Sequence, residues 1–315
     1  MDKYYAHLST TKYFCLQSTN FAEKHSMNNQ PRKKVTINSL LEKKRNKQPI
    51  TQLAVYDYEN AIVADRVGID ILCVSDTGGM VLFGHESTTS VTMEEVMFMA
   101  QAVKRGSQYG LRMVDMPYMS FHLSPEQAIE NAAMFVAKAG AEVMKCEGNV
   151  HHARNIEAIV KAGIPVQGHI GICPMRQAQQ SGFRAQGKTA NEAAALIDDA
   201  MAFYEAGCFS IMAEVVTAEV VEYLQEKLPI PIISLGSGNR GDGVHVIGSD
   251  LFRLYEKHTP RHSKVYVDLV PILEDGYQRY IDDVVNRAYP GTEHTVFMKP
   301  EEFELFKEMM NGKAT

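Results

Sequence analysis

Nothing in the 315 residues is apolar for long enough to cross a bilayer, because every hydrophobic run falls short of the ~20 residues a spanning helix needs. No membrane partner is expected. The N-terminus lacks the apolar core of a secretory signal, and with no arginine before Arg32 it also lacks the Arg-rich character of a mitochondrial presequence. The five cysteines (Cys15, Cys73, Cys146, Cys173, Cys208) are odd in number, widely spaced and free of any CxxC, so neither a disulfide framework nor a thiolate zinc site is indicated. A reducing, cytoplasmic setting fits. Positive charge is not in excess either: 32 Lys and Arg against 38 Asp and Glu leave a net charge of -6, with a pI near 6.0. That argues against a protein that coats nucleic acid, and small molecules are the expected partners. No internal repeat, low-complexity tract or Pro/Ser-rich linker divides the chain.

What is present is an alternation. Hydrophobic residues make up 45% of the chain, ample for a sizeable core. Short apolar runs alternate with amphipathic stretches, the pattern of a parallel sheet with covering helices. Eight strands are expected near 51–56, 70–75, 111–115, 142–147, 165–169, 209–214, 231–235 and 244–247. Helices are expected near 57–67, 92–108, 124–139, 151–162, 188–206, 216–227 and 266–288, with TINSLLEKKRNKQP as a first helix. Eight strands in roughly 250 residues suit a closed (β/α)₈ barrel, an α/β fold whose active residues gather at the C-terminal ends of the strands. A doubly wound open sheet is the alternative. Residues 1–34 read as a polar N-terminal extension, expected to be disordered, with Met27 as a second candidate start. Residues 35–290 read as the catalytic barrel, and 291–315 as a C-terminal tail with a short helix.

The strand ends carry the chemistry. ILCVSDTGGM runs from an apolar strand into Asp76 and then into small residues, where Gly78 and Gly79 allow unusual backbone conformations. The same grammar places Asp115 after LRMV, Lys145 and Glu147 in EVMKCEG, His169 in PVQGHIG and Glu214 in FSIMAEV. Any one of these acids alone could simply cap a following helix; five strands at once point to one rim. Because residues two apart share a face, Lys145 and Glu147 look into the barrel while Cys146 packs outward. Two carboxylates about 5 Å apart repel by roughly 3 kcal/mol at an effective dielectric near 20, so Asp76, Asp115 and Glu147 together call for a cation. Hard oxygen ligands without a His/Cys set favour Mg²⁺ or a similar divalent ion. The bland reading is that one acid pairs with Lys145 and another is protonated.

Glu214 ends a different strand beside Met212, where apolar surroundings would lift its pKa into the range of a general base. Such a base contributes ~10²–10⁴ in rate, so a metal chelating an oxo acid must supply more, with Lys145 offsetting charge on the same substrate. The set describes enolate chemistry on a 2-oxo acid. His169 is as readily structural as substrate-contacting. Gly236, Ser237 and Gly238 form a tight strand-end loop whose N–H groups either bind an anion or simply turn the chain, and SGFRAQGKTANEA (181–193) reads as a loop that moves over the rim. FGHESTTSVT (83–92) reads as a substrate-facing loop, or simply as the approach to a helix that Ser90 or Thr92 starts, with Glu94 and Glu95 at its positive end.

Taken in order, AVYDYENA, VSDTGGMVLFGHESTTSVT, AVKRG, VDMPYMSF, VMKCEG, AGIPVQGHIG, RAQGKT and GSGNRGDG resemble the ketopantoate hydroxymethyltransferase family from about residue 35 to about 290. The resemblance implies a (β/α)₈ barrel of the phosphoenolpyruvate/pyruvate-like type. It implies Mg²⁺-dependent enolisation of 3-methyl-2-oxobutanoate and transfer of the one-carbon unit of 5,10-methylenetetrahydrofolate, giving 2-dehydropantoate for pantothenate synthesis. By motif it makes Asp76, Asp115 and Glu147 the metal ligands. Thr77, Lys145, His169, Asp76 and Asp115 become the substrate contacts, with Lys145 and Glu214 catalytic. A homo-oligomer, often a decamer in the family, is also implied. The departures are Ser75-Asp76-Thr77-Gly78-Gly79-Met80 for Gly-Asp-Ser-Leu-Gly-Met, Cys173 and Met175 for a threonine and a glutamine, Ser181-Gly182 for paired glycines, Ala213 for leucine and Thr217 for proline. Replacing leucine by Gly78 is expected to remove bulk beside the substrate. The alternative function is therefore a divergent 2-oxo acid aldolase, lyase or decarboxylase working without folate.

Overall fold

The computed structural model describes residues 32–180, 182–255 and 260–313. Most of the expected N-terminal extension lies outside them. Eight parallel strands close into a barrel in sequence order: β1 (Ile50–Ala54), β2 (Ile71–Val74), β3 (Leu111–Asp115), β4 (Val143–Glu147), β5 (Val166–Gly171), β6 (Ser210–Glu214), β7 (Ile232–Leu235) and β8 (Gly243–Ile247). The (β/α)₈ reading holds and the open sheet does not. Each strand agrees with its expected position to within two residues. No helix among the described residues is long and apolar enough to cross a membrane.

The strands are short and buried on both sides, which is why they read as nearly continuous apolar runs. β2, β4, β5 and β7 are buried at every position. Helices fill the expected gaps, and their ends follow local chemistry. Thr92 caps Met93–Gly106 through a reciprocal capping box with Glu95, and Thr189 does the same for Ala190–Glu205 with Glu192. Gly68 and Gly140 end helical stretches in the left-handed conformation that glycine adopts without steric cost.

Inside the barrel, the end where the strands begin is hydrocarbon. Ile50, Ile71, Leu111, Val143, Phe209 and Ile233 form one buried cluster with Leu40 of the helix Ile37–Arg45. That helix caps the barrel floor. Lys43 Nζ lies 2.6 Å from Asp70, just before β2, and Lys44 Nζ 2.7 Å from Asp242, just before β8. Burying Leu40 is worth ~1.5–3 kcal/mol, so the floor is the stabilising end. One layer higher the interior turns polar: Gln52 and Gln167 exchange amide hydrogen bonds of 3.0 and 3.1 Å, and Gln167 also donates to Ser210 Oγ at 2.9 Å.

The chain separates into two compact units, one ending at His245 and one running from Val246 to Thr315. The second holds helices Gly248–Phe252, Val270–Val285 and Pro300–Asn311. Within it Ser263 Oγ donates to Asp250 at 2.7 Å and Arg253 pairs with Asp268 at 2.7 Å. Helix Val270–Val285 buries none of its residues, and Tyr277, Ile281 and Val285 are all exposed.

Candidate active site

The inward face of each barrel strand changes character as it rises, and the acids come last. Asp115, Glu147 and Glu214 are the final residues of β3, β4 and β6, and Asp76 follows β2 by two residues. Parallel pairing sets Asp115 beside Lys145 and Glu147 beside His169 on neighbouring strands, all with inward side chains. Asp76, Asp115, Lys145, Glu147 and His169 are all buried.

Lys145 Nζ sits 2.7 Å from Asp115 Oδ2. Burial by itself would lower the lysine pKa, but Asp115 and the other anionic neighbours raise it above its ordinary value, so the ammonium stays charged. Asp115 Oδ1 accepts from the Cys73 thiol at 3.3 Å. Asp76 has no such partner. Its Oδ1 accepts only a long 3.4 Å bond from Ser75 Oγ, and its Oδ2 is buried with none. Burial first, then Asp115 and Glu214, lift the Asp76 carboxyl to about 7 against the opposing pull of Lys145. Glu147 is likewise pushed well above the carboxylate range by burial and then by Asp76, although Met175 N–H donates to its Oε1 at 2.7 Å. One ammonium therefore serves several acids. No three His, Cys, Asp or Glu side chains among the described residues form a ready-made cation cage. Even so, an orphaned oxygen on Asp76 and a second raised carboxyl at Glu147 make the arrangement a bound cation relieves, and Mg²⁺ commonly takes only one or two protein carboxylates with waters and substrate.

His169 sits between two acids, with Nδ1 3.6 Å from Glu147 Oε2 and Nε2 3.2 Å from Glu214 Oε2. Burial, then Lys145, hold its pKa well below normal, so the ring is neutral. Glu214 thus faces an imidazole, whereas the sequence suggested a mainly apolar pocket around it. The Glu214 side chain keeps 16% of its surface exposed, unlike the other acids, which leaves it a path to substrate. The residue after it, Val215, has φ 50°, a conformation β-branched residues rarely adopt. Its surroundings over-determine it: Val215 N–H donates to Leu235 O at 2.7 Å, Gln186 N–H donates to Val215 O at 3.0 Å, and Val216 N–H donates to Ser237 Oγ at 2.8 Å. The loop expected to move over the rim is tied down here through Gln186, and the Gly236-Ser237-Gly238 turn works as a brace.

Two expectations about Gly78 and Gly79 need correction. Neither is in the left-handed region; they lie in a short helix, Thr77–Leu82, which the glycines hid from sequence reading. They are small because of close packing. A Cβ on Gly78 would meet Met99 Sδ at 2.4 Å and Tyr56 Cδ1 at 2.7 Å, and one on Gly79 would meet Val91 at 2.3 Å. Position 78 points into packing against Met99 of the helix Met93–Gly106 and Tyr56 of the loop after β1, so glycine there does not hollow out the pocket. Thr77 opens this helix, and its hydroxyl is 2.7 Å from Tyr56 OH. Tyr56 is one residue that sequence reading passed over, although it stood in a quoted motif. His245 is another: it is buried, its Nδ1 lacks a partner, and the charge of Lys145 reaches it. Its V-H-V setting read only as strand alternation.

With this geometry in view, comparison with known proteins is informative. A model of the ketopantoate hydroxymethyltransferase family matches residues 34–292. A 3-methyl-2-oxobutanoate hydroxymethyltransferase of Dehalococcoides mccartyi is 39% identical over 280 residues, covering 89% of this chain and 99% of the relative. One of Chloroflexus aurantiacus is 40% identical over 269 residues, covering 85% and 95%. Among solved structures, a phosphonopyruvate hydrolase superposes with a TM-score of 0.55 at 12% identity, covering 88% of this chain and 98% of that one. A 2,3-dimethylmalate lyase of the PEP mutase/isocitrate lyase superfamily superposes with a TM-score of 0.52 at 16% identity, covering 90% and 99%. At such identities these structures speak to the fold alone.

Proposed function

The chain belongs to the ketopantoate hydroxymethyltransferase family, and from that premise we propose that it is a working 3-methyl-2-oxobutanoate hydroxymethyltransferase of pantothenate synthesis. The single observation that carries the reading is the convergence of Asp76, Asp115, Lys145, Glu147, His169 and Glu214 at one end of the barrel, on residues the family motif specifies. The packing of Gly78 against Met99 and Tyr56 also weakens the case for a reshaped pocket, and so favours this reading over a folate-free aldolase or lyase.

In the proposed reaction Asp76, Asp115 and Glu147 hold Mg²⁺, which when bound supplies Lewis-acid polarisation of the 2-oxo acid. Lys145, fixed by Asp115, offsets negative charge that grows on the substrate oxygen. Glu214 takes the proton from C3, with the neutral His169 ring 3.2 Å from its carboxylate. Thr77, held by Tyr56, and His169 contact the substrate. The carbanionic C3 then bonds to the one-carbon unit of 5,10-methylenetetrahydrofolate; with water consumed, 2-dehydropantoate and tetrahydrofolate leave. The buried acids exclude bulk water from the charge that develops. A cytoplasmic homo-oligomer completes the proposal, supported by the apolar side chains that helix Val270–Val285 leaves exposed.

The test is direct. Purified protein with 3-methyl-2-oxobutanoate, 5,10-methylenetetrahydrofolate and Mg²⁺ is expected to form 2-dehydropantoate and to restore growth without pantoate in cells lacking the normal enzyme. Soluble protein that exchanges the C3 hydrogen yet forms no product would instead support the folate-free alternative.

A further inference from the structure

Three polar side chains beside this centre have no part in the chemistry described so far. They are His122 on the loop after β3, His152 on the turn after β4, and Arg176 on the turn after β5. The two imidazole rings meet edge to face with centroids 5.0 Å apart, and His122 also lies 4.1 Å from the Phe121 ring and 6.0 Å from Tyr118. Asn155 Nδ2 fixes the loop by donating to Phe121 O at 2.9 Å and His122 O at 3.3 Å. Burial, then the neighbouring His152 and Arg176, push His122 down to about 4, so at neutral pH the rings are uncharged and Arg176 supplies the positive charge.

The hydrogen-bonding capacity of the cluster is mostly unspent. His152 Nδ1 accepts from Asn149 N–H at 3.2 Å, which leaves Nε2–H as a donor. His122 Nδ1 is buried without a partner. Arg176 Nε donates to Gln179 at 2.9 Å, and among the described residues its guanidinium forms no ion pair. Asp199, an acid that feels its charge, accepts from Val150 N–H at 2.8 Å. A forked guanidinium that forms no ion pair among the described residues, together with an imidazole N–H, makes a recognition site for a carboxylate.

Its position says which one. Arg176 directly follows Met175, whose N–H holds Glu147, and the His152 ring lies so close to Gly148 that a Cβ there would meet Nδ1 at 2.6 Å. The cluster therefore borders the reaction centre through the two neighbours of Glu147, Met175 and Gly148. A 2-oxo acid small enough to reach Glu214 finds its own counter-charge in Lys145, inside the barrel. The second substrate is longer and ends in a glutamate.

We propose that His122, His152 and Arg176 form the subsite for the glutamyl carboxylates of the folate carrier, with the half-exposed Tyr118 beside it offering a face to the carrier's benzoyl ring. This rests on the folate-dependent reading above. The test compares 5,10-methylenetetrahydrofolate with 5,10-methylenetetrahydropteroate, which lacks the glutamate. The wild type is expected to show a KM about tenfold lower for the glutamylated carrier, equivalent to about 1.4 kcal/mol. Arg176→Gln is expected to erase that preference while leaving the KM for the oxo acid in place, Arg176→Lys to recover part of it, and His152→Asn to weaken it. C3 exchange in D₂O needs no carrier, so measuring it in each variant separates loss of the fold from loss of carrier binding. Equal KM values for the two carriers in the wild type, or a preference that survives Arg176→Gln in a variant that still exchanges C3, would overturn the subsite. Absence of product with either carrier from wild-type protein that still exchanges C3 removes the folate reading, and the subsite with it.

Discussion

The two ends of the barrel interior are built from the same strands and differ in almost every physical respect. β3 climbs from Leu111 through Met113 to Asp115, β4 from Val143 through Lys145 to Glu147, and β6 from Ser210 through Met212 to Glu214. At the floor, hydrocarbon meets hydrocarbon and Leu40 closes the end. At the rim, buried carboxyls crowd one ammonium: burial and then Asp115 push Asp76 up, and burial and then Asp76 push Glu147 up. The floor supplies stability, and the rim uses some of it to hold groups that water would hold more comfortably. That division teaches where substitutions should be silent and where they should not.

The comparison breaks most visibly at Glu214. Glu214→Gln is expected to lower turnover by ~10²–10⁴, about 3–5 kcal/mol on the barrier, without lowering the melting temperature. Leu111→Ala at the other end should do the reverse, costing about 2–5 kcal/mol in denaturant unfolding while kcat per folded molecule stays near wild type.

A subtler effect should appear in pH. A carboxyl raised to about 7 in the folded state and ordinary in the unfolded state binds its proton more tightly when folded. Stability therefore falls as pH climbs from about 4 to about 7, and the full cost is present above that. In metal-free protein, Asp76→Asn is expected to raise the melting temperature at pH 8, on the order of 1 kcal/mol or more, and to change little at pH 4. Added Mg²⁺ should stabilise the wild type at pH 8 more than at pH 5, because its ligands must be ionised. The smallest expected effect is at Thr77→Val, which removes the 2.7 Å contact with Tyr56 and should cost about 1 kcal/mol in thermal unfolding.

Much of this division was legible in the chain. The strands showed because apolar runs of four to six residues are broken by turn chemistry, and period-two alternation placed Lys145 and Glu147 on the inner face and Cys146 on the outer. The helix after residues 83–92 showed because Ser90 and Thr92 are N-cap residue types followed by Glu94 and Glu95, and Thr92 is the cap. What stayed hidden depends on partners distant in sequence. Gly78 and Gly79 looked like a loop because their reason for being small is the approach of Met99, Tyr56 and Val91. The surroundings of Glu214 were misread because His169, two strand positions lower in register on β5, turns its ring between Glu147 and Glu214. Lys145 was expected to serve substrate, and the alternative set beside the metal reading was that one acid pairs with it; the structure shows Asp115 in that place at 2.7 Å.

The central claim is that Glu214, set apart from the hydrocarbon floor, removes a proton from carbon at the acid-lined rim. The most direct measurement is exchange of the C3 hydrogen of 3-methyl-2-oxobutanoate in D₂O with Mg²⁺ and no folate, followed by proton NMR for the wild type and for Glu214→Gln. Loss of the C3 signal with the wild type and its persistence with the variant is the predicted result; equal exchange rates in the two proteins would contradict the account.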